Sequence, residues 1–356
     1  MIKKLALIVT LASVILTTLF GASACQQQQK TQLNLIIAGS LMMPFQALTE
    51  EFEKENPNID VTVEGHGSIQ VIRQITELGR QADVIAVADF SLIPMMMYGI
   101  KVPNTNENYA NWYVKFARNY LVVAYMPQSK YADEINNTNW YDVLSRPDVR
   151  IGISDPQYDS CGYRTLMMLQ LAELYYDNET IFEDVLGNFS PPITVTENNG
   201  KYTISLPEII GPEKRIRLRD SSVKLLSLME TGDIDYAFMY KSEAEQWGLE
   251  FLELPSEINL GSNEYEHLAQ EIRVKLSYQR FATVNPEFLC EPIQYSMTIP
   301  QNAPHTEEAI KFIEFAIGPK GQGILQNNHL PLIIPAKTDT LDKLPNALKS
   351  LVELEE

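Results

Sequence analysis

A short apolar run, a glycine turn carrying a serine, and a helix with one apolar face follow one another twice in succession near the start of this chain. Leu33 to Ile37 leads into Ala38-Gly39-Ser40-Leu41, and Phe45, Leu48 and Phe52 then mark one side of a helix ending near Asn56-Pro57. Ile59 to Val63 leads into Gly65-His66-Gly67-Ser68, and Ile69, Ile72, Ile75 and Leu78 mark the next helix as far as Gly79. Ala82 to Asp89 then reads as a buried parallel strand ending in an acid. Strands alternating with helices predict an α/β fold built on doubly wound sheets, whose ligands sit at the carboxyl ends of the strands. Ser40 and Ser68 fall at two such ends.

The device recurs further along. Val149 to Ile153 is a strand pattern broken by Asp155-Pro156, and Leu166, Leu169, Leu171 and Leu174 recur at helical spacing, so a helix is expected to begin near Cys161. Its first amides lack partners within the helix and sit at the positive end of the helix dipole, a ready place for a small anion. The plainer reading is that Ser160 only caps this helix. The same plain reading, capping, applies to Ser40 and Ser68. Leu121 to Tyr125 and Ile293 to Ile299 read as strands that cross into a second lobe and back. Between them a hairpin is expected from Ile193 to Leu206 around Asn198-Asn199-Gly200, and Ile234 to Tyr240 is another buried strand.

At 356 residues the chain is too long for most single cores, which agrees with two lobes. A net charge of -18 argues against nucleic acid or an anionic membrane surface as a partner. The four histidines are scattered, and the three cysteines lack zinc-type spacing. Lys3-Lys4, the apolar run from Leu5 to Phe20 and Gly21-Ala22-Ser23-Ala24 form a secretory signal. Cys25 follows directly, ahead of Gln26 to Gln29, and this resembles a bacterial lipobox in which the cysteine is lipidated. Ala22 departs from the usual leucine, so plain cleavage after Ala-Ser-Ala, giving a secreted or periplasmic protein, stays open. Cys161 and Cys290 remain, and sequence separation alone does not say whether they pair.

Several ordered pieces are shared with a known family: Ala38-Gly39-Ser40-Leu41, Gly67-Ser68, Ala82-Asp83-Val84, Phe116-Ala117-Arg118-Asn119, Cys161-Gly162-Tyr163-Arg164 and Asp235-Tyr236-Ala237-Phe238. From about Leu33 onward the chain resembles the tungstate/molybdate-binding proteins of ABC importers, in their archaeal-type branch. The resemblance implies a two-lobed fold of the type II periplasmic-binding-protein kind, each lobe a mixed sheet flanked by helices, with two strands crossing the hinge. The expected division is 1–24 signal peptide, 25–32 lipid-anchored tether, 33–120 with 292–356 lobe 1, and 121–291 lobe 2. The implied function is capture of the oxyanion in the cleft and delivery to a membrane permease by a monomer that needs no cofactor.

The resemblance places oxyanion contacts on Ser40, Ser68, Asp159 and Tyr240, with Ser160 standing where the family usually has proline. Ser160 and Cys161 join this set as the start of the helix expected there. The family's usual glutamate, which helps the aspartate coordinate the metal, is replaced here by Met239. A carboxylate repels a dianion unless it takes a proton from it or bonds its central atom, so Asp159 fits tungsten or molybdenum, which can expand their coordination. Phosphate, arsenate or an organic acid are the nearer alternatives as ligand. A cysteine-dependent enzyme using Cys161 is the more distant one.

Overall fold

The computed structural model describes residues 30–262, 271–277 and 286–355. The signal, Cys25 and most of the tether lie outside the described residues. Three sheets organise the described residues. The first has seven strands in the order β16-β15-β4-β14-β3-β1-β2, comprising β1 (Thr31–Ala38), β2 (Ile59–His66), β3 (Val84–Val87), β4 (Val114–Arg118), β14 (Gln294–Thr298), β15 (Leu332–Thr338) and β16 (Val352–Leu354). The second has five in the order β11-β5-β10-β6-β9: β5 (Leu121–Tyr125), β6 (Ile151–Ser154), β9 (Ile216–Arg219), β10 (Tyr236–Tyr240) and β11 (Glu250–Glu253).

β1 runs parallel to both β2 and β3, as the repeated strand-turn-helix units require. The strand begins two residues earlier than the apolar pattern indicates, because Thr31 and Gln32 already pair with Ile59 and Asp60. Thr31 and Gln32, expected to belong to the tether, therefore lie in the strand. Helix α1 (Met42–Glu55) buries Phe45, Leu48 and Phe52, and the last of these packs edge-on against Phe312, 5.2 Å between ring centres. Helix α2 (Ser68–Thr76) buries Ile69, Val71, Ile72 and Ile75 on the inner side of the same sheet. Short helices α3 (Leu92–Met97) and α4 (Trp140–Leu144) follow.

The chain leaves the first sheet at Asn119 and Tyr120 and returns ahead of Gln294. The two passages are tied together: the Asn119 amide donates to the Ile293 carbonyl at 3.0 Å, and the Ile293 amide to the Leu260 carbonyl at 2.9 Å. Helix α5 (Ser160–Tyr176) departs from the expected one-sided pattern, since every residue from Ser160 to Ala172 is buried. The reason is a third sheet of order β13-β12-β8-β7. The expected hairpin, β7 (Thr194–Asn198) and β8 (Lys201–Leu206), is extended there by β12 (Ile272–Leu276) and β13 (Glu287–Leu289). Tyr163 on α5 stacks on Phe288 of β13 at 4.5 Å and 8°. With a sheet on two sides, the helix has no solvent face from Ser160 to Ala172 and carries apolar residues all round there.

Candidate functional site

The carboxyl ends of β1, β2, β3, β6, β9 and β10 point toward one another, and the sequence-predicted polar residues meet there. Ser40 lies in a 3-10 turn, Gly39–Leu41, directly after β1. Ser68 is the first residue of α2, after β2. Neither caps its helix through its side chain, contrary to the capping reading: Gly67 and Ala38 hold the cap positions. The Ser68 hydroxyl instead accepts the Ala88 amide at 3.0 Å and the Ser160 hydroxyl at 3.2 Å. Ser160 thus reaches across from the second sheet, and its oxygen also lies 3.1 Å from the Tyr240 hydroxyl.

Helix α5 starts at Ser160, close to the expected place, and the N-cap is Asp159 rather than Ser160, so Ser160 is free to point across the gap. Asp159 accepts the Ser68 amide at 3.3 Å with one oxygen and the Ser222 amide at 3.1 Å with the other. One carboxylate therefore holds both halves. Burial pushes Asp159 up to about 6, against the pull of those two amides. The first-turn amides of α2 are also engaged: Ile69 and Gln70 donate to the Tyr158 carbonyl at 3.1 and 3.3 Å. The halves are closed tightly enough that main chain of one satisfies main chain of the other.

Tyr240 ends β10 fully buried, its ring edge-on to Tyr295 at 5.9 Å. Tyr295 donates to the Ser40 hydroxyl at 3.1 Å, and Asn119 at the hinge donates to the Tyr295 oxygen at 3.1 Å. Cys161 contributes no exposed thiol. Its sulfur is 3.7 Å from the Phe238 carbonyl, and burial pushes the thiol well above its ordinary value. Cys161 and Cys290 are both free and buried. Met239 points to the opposite face of β10 from Tyr240, among Val122, Leu225 and Ala244.

Sequence reasoning missed several contributors. Ser221 and Ser222 follow β9 just as Ser40 and Ser68 follow their strands, so the signal was the same short strand leading into a serine-started turn. The Ser221 hydroxyl is buried and finds no partner among the described residues. Glu243 sits in helix α8 (Lys241–Gln246) and is 1% exposed. It accepts the Ser222 hydroxyl at 2.8 and 2.9 Å and the Tyr240 amide at 3.2 Å. Burial pushes it up to about 8, opposed by Ser222 and reinforced by the nearby Asp159 charge. Asn119 was quoted only as part of a shared motif.

The last missed feature is a clasp. Arg164 pairs with Asp89 at 3.0 Å and donates to the Ala88 carbonyl at 3.0 Å, while the Tyr163 hydroxyl reaches the same Asp89 oxygen at 2.5 Å. The Cys161-Gly162-Tyr163-Arg164 stretch of the second sheet thereby grips the end of β3 in the first. Among charged groups near the serines, the guanidinium is already committed to Asp89. What remains to receive an anion is hydroxyls and amides.

A family model described as bacterial extracellular solute-binding protein matches residues 33–330. The molybdate/tungstate-binding protein WtpA of Pyrococcus abyssi is 37% identical over 349 residues, 96% of this chain and 96% of its own. A solute-binding protein of Methanoculleus marisnigri is 41% identical over 326 residues, 92% of this chain and 88% of its own. Among solved structures, the periplasmic molybdate-binding protein of Azotobacter vinelandii aligns over 85% of this chain and 99% of its own, with a TM-score of 0.54 and 17% identity. The sulfate-binding protein SubI of Mycobacterium tuberculosis aligns over 85% and 87%, with a TM-score of 0.51 and 13% identity. At such identities the two structures attest the shared fold.

Proposed function

This chain belongs to the bacterial extracellular solute-binding protein family, and from that premise we propose that it captures tungstate or molybdate between its halves and delivers it to an ABC importer permease. The observation that carries this reading is the meeting of Ser68 and Ser160 at 3.2 Å from opposite halves, with Asp159 bridging amides of both. A dianion leaving water loses several kcal/mol for each unsatisfied group, so it needs many donors in a small space. In our reading Ser40, Ser68, Ser160, Tyr240 and the amide of Cys161 supply them. Being neutral, they bind without the deep electrostatic well that would prevent release, and each helix start adds about 0.3–1 kcal/mol.

Asp159 takes a coordination position on the metal in this proposal, a role open to tungsten and molybdenum and closed to sulfur in sulfate. Met239 takes no part, since it is packed in an apolar cluster and a thioether suits a hard, high-valent centre poorly. A binding role rather than catalysis is supported by Cys161, whose burial raises the thiol in the direction opposite to what a nucleophile needs. The molecule works as a monomer, held at the outer face of the membrane by lipidated Cys25. Intact mass of the membrane-bound protein tests the anchor: the acyl mass should vanish and the protein be released in Cys25→Ser, whereas an unmodified wild-type amino terminus would remove this part of the proposal.

The function itself is tested by calorimetric titration with tungstate, molybdate, sulfate and phosphate. Tungstate and molybdate are expected to bind and the other two to fail to compete. Tight binding of sulfate alone, or of phosphate in preference to both metal oxyanions, would overturn the assignment.

A further inference from the structure

Resting on the reading just given, we propose that Glu243 is the second carboxylate of the site and, with Asp159, bonds the metal centre of the captured oxyanion. The two acids are joined through one residue. The Ser222 amide donates to Asp159 at 3.1 Å, and its hydroxyl donates to Glu243 at 2.8 Å. Asp159 is 4% exposed and Glu243 1%. Among the described residues neither forms an ion pair, and the guanidinium of Arg164 is taken by Asp89.

Two buried carboxylates facing one serine with no cation between them are costly unless a positive centre enters. The backbone explains how a residue in a helix can serve a strand end. Glu243 is the third residue of α8 and turns back to accept the amide of Tyr240, the residue at which β10 stops. Its carboxylate is thereby set beside Ser222. The acid that position 239 lacks is supplied from four residues further on. On the same turn the buried Ser221 hydroxyl, which finds no partner among the described residues, lies against Gly39, next to Ser40, and can donate toward the same place.

The test uses the whole mature chain, with tungstate and molybdate as probes. Glu243→Gln preserves the backbone cap, because glutamine accepts the Tyr240 amide as glutamate does, but it removes the anionic oxygen. Affinity for tungstate is expected to fall by about 10- to 100-fold or more, the range for loss of a supporting group at a metal site. Thermal unfolding of the ligand-free variant should stay close to wild type. X-ray absorption at the metal edge of the bound wild-type complex gives a reading that needs no variant. Oxygen ligands beyond the four of the free oxyanion are expected, with one fewer in Glu243→Gln. A tetrahedral metal in the wild type, or a variant with wild-type affinity and spectrum, would overturn the inference and leave Glu243 as a helix cap. Failure of the wild type to bind either metal oxyanion is a different result: it removes the functional reading, and this inference with it.

Discussion

The guanidinium of Arg164 reaches from α5 to the end of β3, where it meets Asp89, and both groups are nearly free of solvent contact. Removing one member of such a pair leaves the other buried and uncompensated, at a cost of about 3–5 kcal/mol. Here the cost falls on the closed arrangement, because the partners belong to different halves. Arg164→Met is therefore expected to weaken ligand binding by at least about tenfold, at 1.4 kcal/mol per factor of ten. Calorimetric affinity within twofold of wild type would show that the clasp does not favour closure. The sequence displayed Arg164 within a recognisable motif but offered no partner, since Asp89 lies 75 positions away by subtraction (164 − 89) and only the fold pairs them.

Among the elements, the turn before α2 is a tight point of contact between halves. A Cβ at Gly67 would lie 2.4 Å from the Tyr158 carbonyl and 2.5 Å from that of Asp220, both main-chain atoms that cannot swing aside. Glycine is needed there for approach rather than for an unusual dihedral, as its φ of -61° is open to any residue. Gly67→Ala should leave each half folded while holding them apart, lowering tungstate affinity and raising the radius of gyration of the liganded protein in small-angle scattering. An alanine variant as compact as wild type at saturating ligand would refute this. The glycine turn itself was plain in the sequence. Its purpose was not, because the obstructing carbonyls come from β6 and β9 territory. Helix α5 shows the converse: its leucine spacing announced a helix, but a third sheet covering it was needed to account for apolar residues on every side.

At the scale of the molecule, two passages of chain at Asn119 and Ile293 join the halves and are bonded to each other. Hinge closure around a ligand concentrates its change in such passages. Asn119 stands at this crossing and also begins the line through Tyr295 to Ser40, so the hinge is linked to the site by hydrogen bonds. Adding tungstate to the ligand-free protein is expected to reduce its radius of gyration and raise its melting temperature with ligand concentration. A radius unchanged while the melting temperature rises would mean capture without closure. The α/β class, the order of strands and helices, and the serines at strand ends were legible in the sequence because hydrophobic period and turn residues act over a few positions. Tertiary structure alone decided that Ser160 meets Ser68 instead of capping α5, that Asp159 bridges both halves, and that Glu243 stands beside it. Those facts depend on which distant strand ends converge, and burial then fixes the charge and partners of the groups gathered there.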